Sequence, residues 1–91
     1  MELSDYRAQI DQIDRQLVEL FAQRMNTAAG IAAYKKEHGL PVLDPVRERE
    51  KLLDVAAQAP EDMRDSTASL YTMLFELSRC YQGRLLGSTS P

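Results

Sequence analysis

Three cations, Arg7, Arg24 and Lys35, lie on one segment, residues 5 to 38, that reads as an unbroken helix. Arg24 and Lys35 are eleven residues apart, which at about 100° per residue places them within roughly 20° of each other on one face. If their long side chains lean together, both can hold one small anion. Arg7 is seventeen residues before Arg24, about 25 Å away along the axis at about 1.5 Å per residue. That anion is out of reach of Arg7 on the same helix but within reach of Arg7 on a second, antiparallel copy. The spacing therefore suggests a dimer with a ligand site shared between chains.

Other polar positions extend this set, and each has an ordinary reading beside the chemical one. Apolar residues recur every seven positions along the first helix, as Leu3, Ile10, Leu17 and Ile31 in one series and Tyr6, Ile13, Leu20 and Tyr34 in the other. Arg24 interrupts the first series, where a coiled-coil seam would be apolar. It is either a specificity device, a surface arginine covering apolar neighbours with its stem, or an anion ligand inside a bundle. Lys35 and Lys36 sit where cations normally meet the C-terminal end of a helix dipole, whereas Arg7 sits near the unfavourable end. The run Arg47 to Lys51 reads first as a solvated charged face. Glu48, four residues before Leu52, is placed to face inward and accept a hydrogen bond from a hydroxyl. Ser78 and Gln82 share a helix face at i, i+4 spacing. Arginine, lysine, glutamine, serine and glutamate together suit a small dianion that carries hydroxyl or ether oxygens.

Several chemistries find no support. The one histidine, His38, ends a helix, and the one cysteine, Cys80, has neither a nucleophile's partner nor a disulfide partner within the chain. No metal-ligand spacing, phosphate loop or dinucleotide fingerprint is present. The expected reaction needs neither covalent intermediate, metal nor cofactor. A net charge of −3 argues against a general nucleic-acid surface. No apolar run resembles a signal peptide or is long enough to span a membrane. The default is a soluble cytoplasmic protein, unless a targeting segment has been removed.

The elements that must position these residues are helices. The 91 residues make one domain at most. A compact domain of that size has a radius of gyration of about 12 Å. A helix of about 33 residues is about 50 Å long. Its apolar stripe therefore outruns what one chain can cover, and association through it is the economical solution. Ser4 or Asp5 is the expected N-cap of the first helix. His38 ends it, followed by Gly39 in a left-handed position, Leu40 and Pro41. Asp44-Pro45 opens a second helix running to about Gln58, with Val46, Leu52, Leu53, Val55 and Ala56 as its apolar contacts. Ala59-Pro60 breaks it. A third helix runs from about Glu61 to Leu86, with a stripe of Met63, Leu70, Met73, Leu74, Leu77 and Tyr81. Residues 1–86 form the domain, and 87–91 form a polar tail or linker.

On these residues the chain resembles the all-helical class of chorismate mutase. The matching segments are Tyr6 to Asp14, Leu20 to Arg24, Ala33 to Lys36, Pro41 to Glu50, Phe75 to Ser78 and Tyr81-Gln82. Each element alone is weak, but the spacing of Arg7, Arg24, Lys35, Asp44, Arg47 and Glu48 is specific. The resemblance covers about residues 3 to 86. The stretch joining helices two and three is shorter than in some members, so the roles of Ser78 and Gln82 depend on where that gap falls.

The resemblance implies an all-α, intertwined homodimer of three-helix chains with two sites, each completed by a partner's arginine. It implies the Claisen rearrangement of chorismate to prephenate, in the shikimate pathway to phenylalanine and tyrosine. Carried over residue by residue, Arg7 of one chain joins Arg24, Lys35, Asp44, Arg47, Glu48, Ser78 and Gln82 of the other in binding substrate. Lys35, Gln82, Arg24 and Glu48 are the catalytic set, with Lys35 and Gln82 at the breaking ether bond. Glu48 and the backbone near Asp44 hold the ring hydroxyl. The tail is where a longer natural chain would continue into another enzyme, such as a prephenate dehydratase. The alternatives are a non-catalytic dimerisation or regulatory module of the same fold, expected to lack one of these polar residues, and a coiled-coil adaptor, expected to be neutral at Arg24.

Overall fold

A computed structural model of the chain describes residues 1–85. They form three α-helices, α1 (Leu3–Glu37), α2 (Pro45–Gln58) and α3 (Arg64–Leu85), with a single 3₁₀ turn, Glu61–Met63, between α2 and α3. There is no strand among the described residues. The end expected at Leu86 and the tail from Gly87 lie outside them.

The helix ends follow from local chemistry. α1 starts two residues earlier than the sequence suggested, with Glu2 rather than Ser4 or Asp5 at its N-cap. The Glu2 backbone N–H donates to Asp5 Oδ2 at 2.8 Å. Asp5 therefore works from the third helical position, reaching back to the cap as the acidic half of a capping box. At the other end Gly39 has φ of 68°, the left-handed conformation foreseen for it. The Leu40 N–H then reaches the Lys35 carbonyl at 2.8 Å and the Gly39 N–H the Lys36 carbonyl at 3.3 Å. Two carbonyls that α1 would leave unsatisfied are thereby bonded. Asp44 caps α2 as expected, its Oδ1 accepting the Arg47 N–H at 3.0 Å. After Pro60 the chain makes one tight turn, closed by the Met63 N–H on the Pro60 carbonyl at 2.8 Å, before the α-helical pattern begins. The third helix was expected to start at Glu61; a 3₁₀ first turn is a common way for a helix to begin.

Packing is confined to one half of the molecule. Arg24, Asn26 and Ala28 meet Ser78, Tyr81 and Gln82 in that order, so α1 and α3 run in the same direction where they touch. α2 returns against α3, with Glu48 opposite Arg79. The buried apolar residues among those described are Met25, Ala32 and Val55. Residues 1–23 are exposed throughout. The molecule is accordingly elongated, 54 × 25 × 24 Å with a radius of gyration of 16.3 Å, against about 12 Å for a compact chain of this length.

Two expected stripes are less buried than their patterns implied. On α2, Val46 and Leu53 are exposed, while Leu52 and Ala56 are half-buried. On α3, Met63, Leu70, Met73 and Leu77 are exposed, while Leu74 and Tyr81 are half-buried. The reason is geometric: the first 23 residues of the chain, which carry most of the α1 seam, are all exposed and bury none of these side chains.

Gly39 gives a direct test of the α1 terminus. A side chain at φ of 68° is strained, so Gly39→Ala should lower stability by about 1 kcal/mol. Urea unfolding should show an earlier midpoint with an unchanged slope.

Candidate functional site

The half of the molecule where all three helices meet contains a cleft of about 440 Å³. α1 contributes Arg24 and Lys35, the start of α2 contributes Asp44, Arg47 and Glu48, and α3 contributes Ser78 and Gln82. Seven of the eight residues expected from the sequence therefore line one cavity. Arg7 does not line it. It lies seventeen residues before Arg24 on the same unbroken helix, about 25 Å along the axis.

Each position has a local cause. Arg24, the cation in the apolar seam, is half-buried. Its guanidinium lies 5.4 Å from the centre of the Tyr71 ring and 5.6 Å from that of Phe75. The negative faces of those rings partly replace lost hydration. Arg24 Nη1 also donates to Ser78 Oγ at 3.4 Å. Ser78 is the buried polar residue of the group and turns its own hydroxyl to Met25 Sδ at 3.7 Å. The Gln82 amide donates to the Ala28 carbonyl at 3.3 Å. One of its two N–H donors is thus anchored to α1, which leaves the other for a ligand. Asp44 is occupied as the α2 cap. That bond fixes the first turn of α2 and with it the aim of Arg47 and Glu48.

One cleft residue was missed. Arg79 lines the cavity, and its Nη1 lies 2.6 Å from both carboxylate oxygens of Glu48. Glu48 does face inward, as its position suggested, but with a cation already on it. A carboxylate has about four lone-pair sites, so acceptor capacity toward a ligand remains. The signal for Arg79 was available: Tyr71, Phe75, Ser78, Arg79 and Gln82 fall on one α3 stripe at i, i+3 and i+4 spacing.

The electrostatic balance is clear. Arg24, Lys35, Arg47 and Arg79 face Asp44 and Glu48, an excess of two positive charges on the cavity wall. That wall is matched to a dianion. Ala28, Ile31, Val42, Leu43 and Phe75 supply an apolar floor. There is no histidine or cysteine in the lining. The lining thus combines fixed cations and hydrogen-bond donors with an apolar floor.

The sequence profile described as chorismate mutase type II matches residues 6–83. The T-protein of Haemophilus influenzae is 44% identical over 46 residues, which is 50% of this chain and 12% of that protein. The chorismate mutase of Methanocaldococcus jannaschii is 38% identical over 48 residues, 53% of this chain and 48% of the relative. The 4-amino-4-deoxychorismate mutase of Streptomyces venezuelae is 37% identical over 46 residues, 50% of this chain and 45% of the relative. The chain thus spans less than half the length of each of these relatives. No solved structure gives a significant match.

The α2 cap can be tested apart from any reaction. Asp44→Ala should cost about 1 kcal/mol, whereas Asp44→Asn, which still caps, should cost only a few tenths. Chemical denaturation of the three proteins should rank them wild type, Asn, Ala.

Proposed function

The chain belongs to the chorismate mutase type II family, and from that membership we propose that it converts chorismate to prephenate by a Claisen rearrangement. The observation that carries the proposal is the convergence of Arg24, Lys35, Arg47, Glu48, Ser78 and Gln82 from three helices on one cationic cleft. A non-catalytic module of the same fold is expected to lack at least one of the polar site residues, and all eight are present in the sequence. An adaptor has no use for Arg24 held over two rings. One relative is named for 4-amino-4-deoxychorismate; for the present chain the proposed substrate is chorismate, with a neutral hydroxyl at that ring position.

The physical account needs no nucleophile. The reaction is unimolecular, and its barrier includes folding the enolpyruvyl arm over the ring. Arginines fixed on the two carboxylates select that folded shape, supplying orientation before the chemical step. As the ether C–O bond breaks, negative charge develops on its oxygen. Lys35 and the free N–H of Gln82 are the donors proposed there. Their interaction strengthens toward the transition state, which raises the catalytic rate rather than only affinity. Glu48 accepts the ring hydroxyl, and Asp44 holds the turn that aims it.

The second arginine for the carboxylates is proposed to be Arg7 of another copy in an interlocked homodimer. What supports this is the exposed seam of α1, with Tyr6, Ile10, Ile13, Leu17 and Leu20 each more than half exposed. An antiparallel copy laid along that seam covers it and carries its Arg7 toward the cleft. No described helix is long and apolar enough to cross a membrane, and a cytoplasmic location is proposed with the metabolic role. A further enzyme domain beyond the polar tail is proposed on the same footing.

Purified protein should consume chorismate, followed by loss of its absorbance, and an oxabicyclic transition-state analogue should inhibit. Arg7→Ala and Arg24→Ala should each lower kcat/KM by about 100-fold or more, as for loss of a charged transition-state contact. Mixed under exchange conditions, the two variants should recover activity, because a heterodimer has one site with both arginines. Demonstrated exchange without recovery would refute a shared site.

A pH–rate profile tests the ether-oxygen contact. An amide donates at any ordinary pH, whereas a glutamate donates only when protonated. The wild type should stay active through neutral pH. Gln82→Glu should be most active at acid pH and lose activity as the new carboxyl ionises. Profiles of the same shape would remove Gln82 from the reacting oxygen.

A further inference from the structure

The proposed reaction leaves Arg79 without a role, although it is the residue most directly joined to Glu48. Building on the reading above, we infer that Arg79 is a specificity-determining residue: it makes Glu48 a receptor for a neutral hydroxyl on the substrate ring and excludes a ring ammonium. A carboxylate alone would take either donor. It would favour the ammonium, because that hydrogen bond joins two opposite charges. The pair in this cleft is different. Arg79 Nη1 sits 2.6 Å from both Glu48 oxygens, so the carboxylate's charge is already compensated. A ring substituent on Glu48 also lies close to the guanidinium. A hydroxyl loses nothing there, whereas a cation is repelled. Selectivity then rests on a repulsive group as well as an attractive one.

The charge of the whole cavity points the same way. Its lining carries an excess of two positive charges with Arg79 and of one without it. Chorismate has two carboxylates and a neutral ring hydroxyl. Its ring-amino analogue has the same carboxylates and an aliphatic amine, which is protonated at neutral pH, giving a net charge of one negative. Loss of Arg79 lowers the positive excess by one whether or not Arg7 of a second copy is present. The amino analogue carries one negative charge fewer than chorismate, so the change in the wall runs in the same direction as the change in the ligand. The pair bridges α2 and α3 with side chains 41% and 32% exposed. Removing it disturbs the cavity charge more than the core.

The experiment compares kcat/KM for chorismate and for 4-amino-4-deoxychorismate in wild type, Arg79→Gln and Arg79→Lys, with helical circular dichroism as the check on folding. Wild type should prefer chorismate. Arg79→Gln should move the ratio toward the amino substrate by about tenfold or more, which corresponds to about 1.4 kcal/mol. Arg79→Lys, which keeps the charge, should hold the ratio near that of wild type. If Arg79→Gln lowers both activities in step, the residue is merely structural and the inference is overturned. If Arg79→Lys shifts the ratio as far as Arg79→Gln, charge is not the cause and it is overturned equally. Should Arg79→Gln fail to fold, Arg79→Met, which keeps the stem and removes the charge, gives the same comparison. A folded wild-type protein that turns over neither compound would instead overturn the mutase reading itself.

Discussion

The structure depends on the continuity of α1. A 35-residue helix is about 52 Å long, and no other described helix is long enough to cover it. The consequence is an uneven molecule. α2 and α3 fold onto the C-terminal part of α1, and the N-terminal part projects with its apolar seam exposed. Burial of that seam is worth roughly 25 cal/mol for each Å² removed from water. This is the physical pressure behind the proposed second copy. The same rigidity holds Arg24 and Lys35 at a fixed separation across the cleft and keeps Arg7 away from the site of its own chain.

The cleft is a region of concentrated positive charge inside a very small fold, and two of its cations, Arg24 and Arg79, are held in different ways. Arg24 is set over Tyr71 and Phe75 and reaches a serine buried behind it. Arg79 is matched by Glu48. A partially buried guanidinium such as that of Arg24 is costly when unpaired, and the aromatic and acidic neighbours of these two arginines hold them in the cleft. A pocket arranged in this way is organised before a ligand arrives. That is the condition under which electrostatic stabilisation of a developing charge is effective.

The helices, their order and most of their ends were legible in the sequence. Gly39 and the Asp44-Pro45 pair are backbone instructions that act over a few residues, and the structure follows them. Asp5 was legible as a capping residue but not as the partner that reaches back to Glu2, since capping positions differ by only a residue or two. The exposure of Leu53, Met73 and Leu77 was not legible. A periodic apolar stripe says that a face seeks burial, not which surface meets it.

For the site, the sequence by itself determined which charged and polar types are present and, through helical spacing, that Arg24 with Lys35 and Ser78 with Gln82 share faces. These are short-range consequences of a fixed rise and rotation per residue. Only the tertiary structure decided that the faces converge on one cleft, that Arg24 rests on Tyr71 and Phe75, and that Arg79 occupies Glu48. Those contacts join residues 31 to 54 positions apart in the chain. No local rule links such residues. Their meeting depends on how α2 and α3 pack on α1, and that packing is set by the sum of many small contacts.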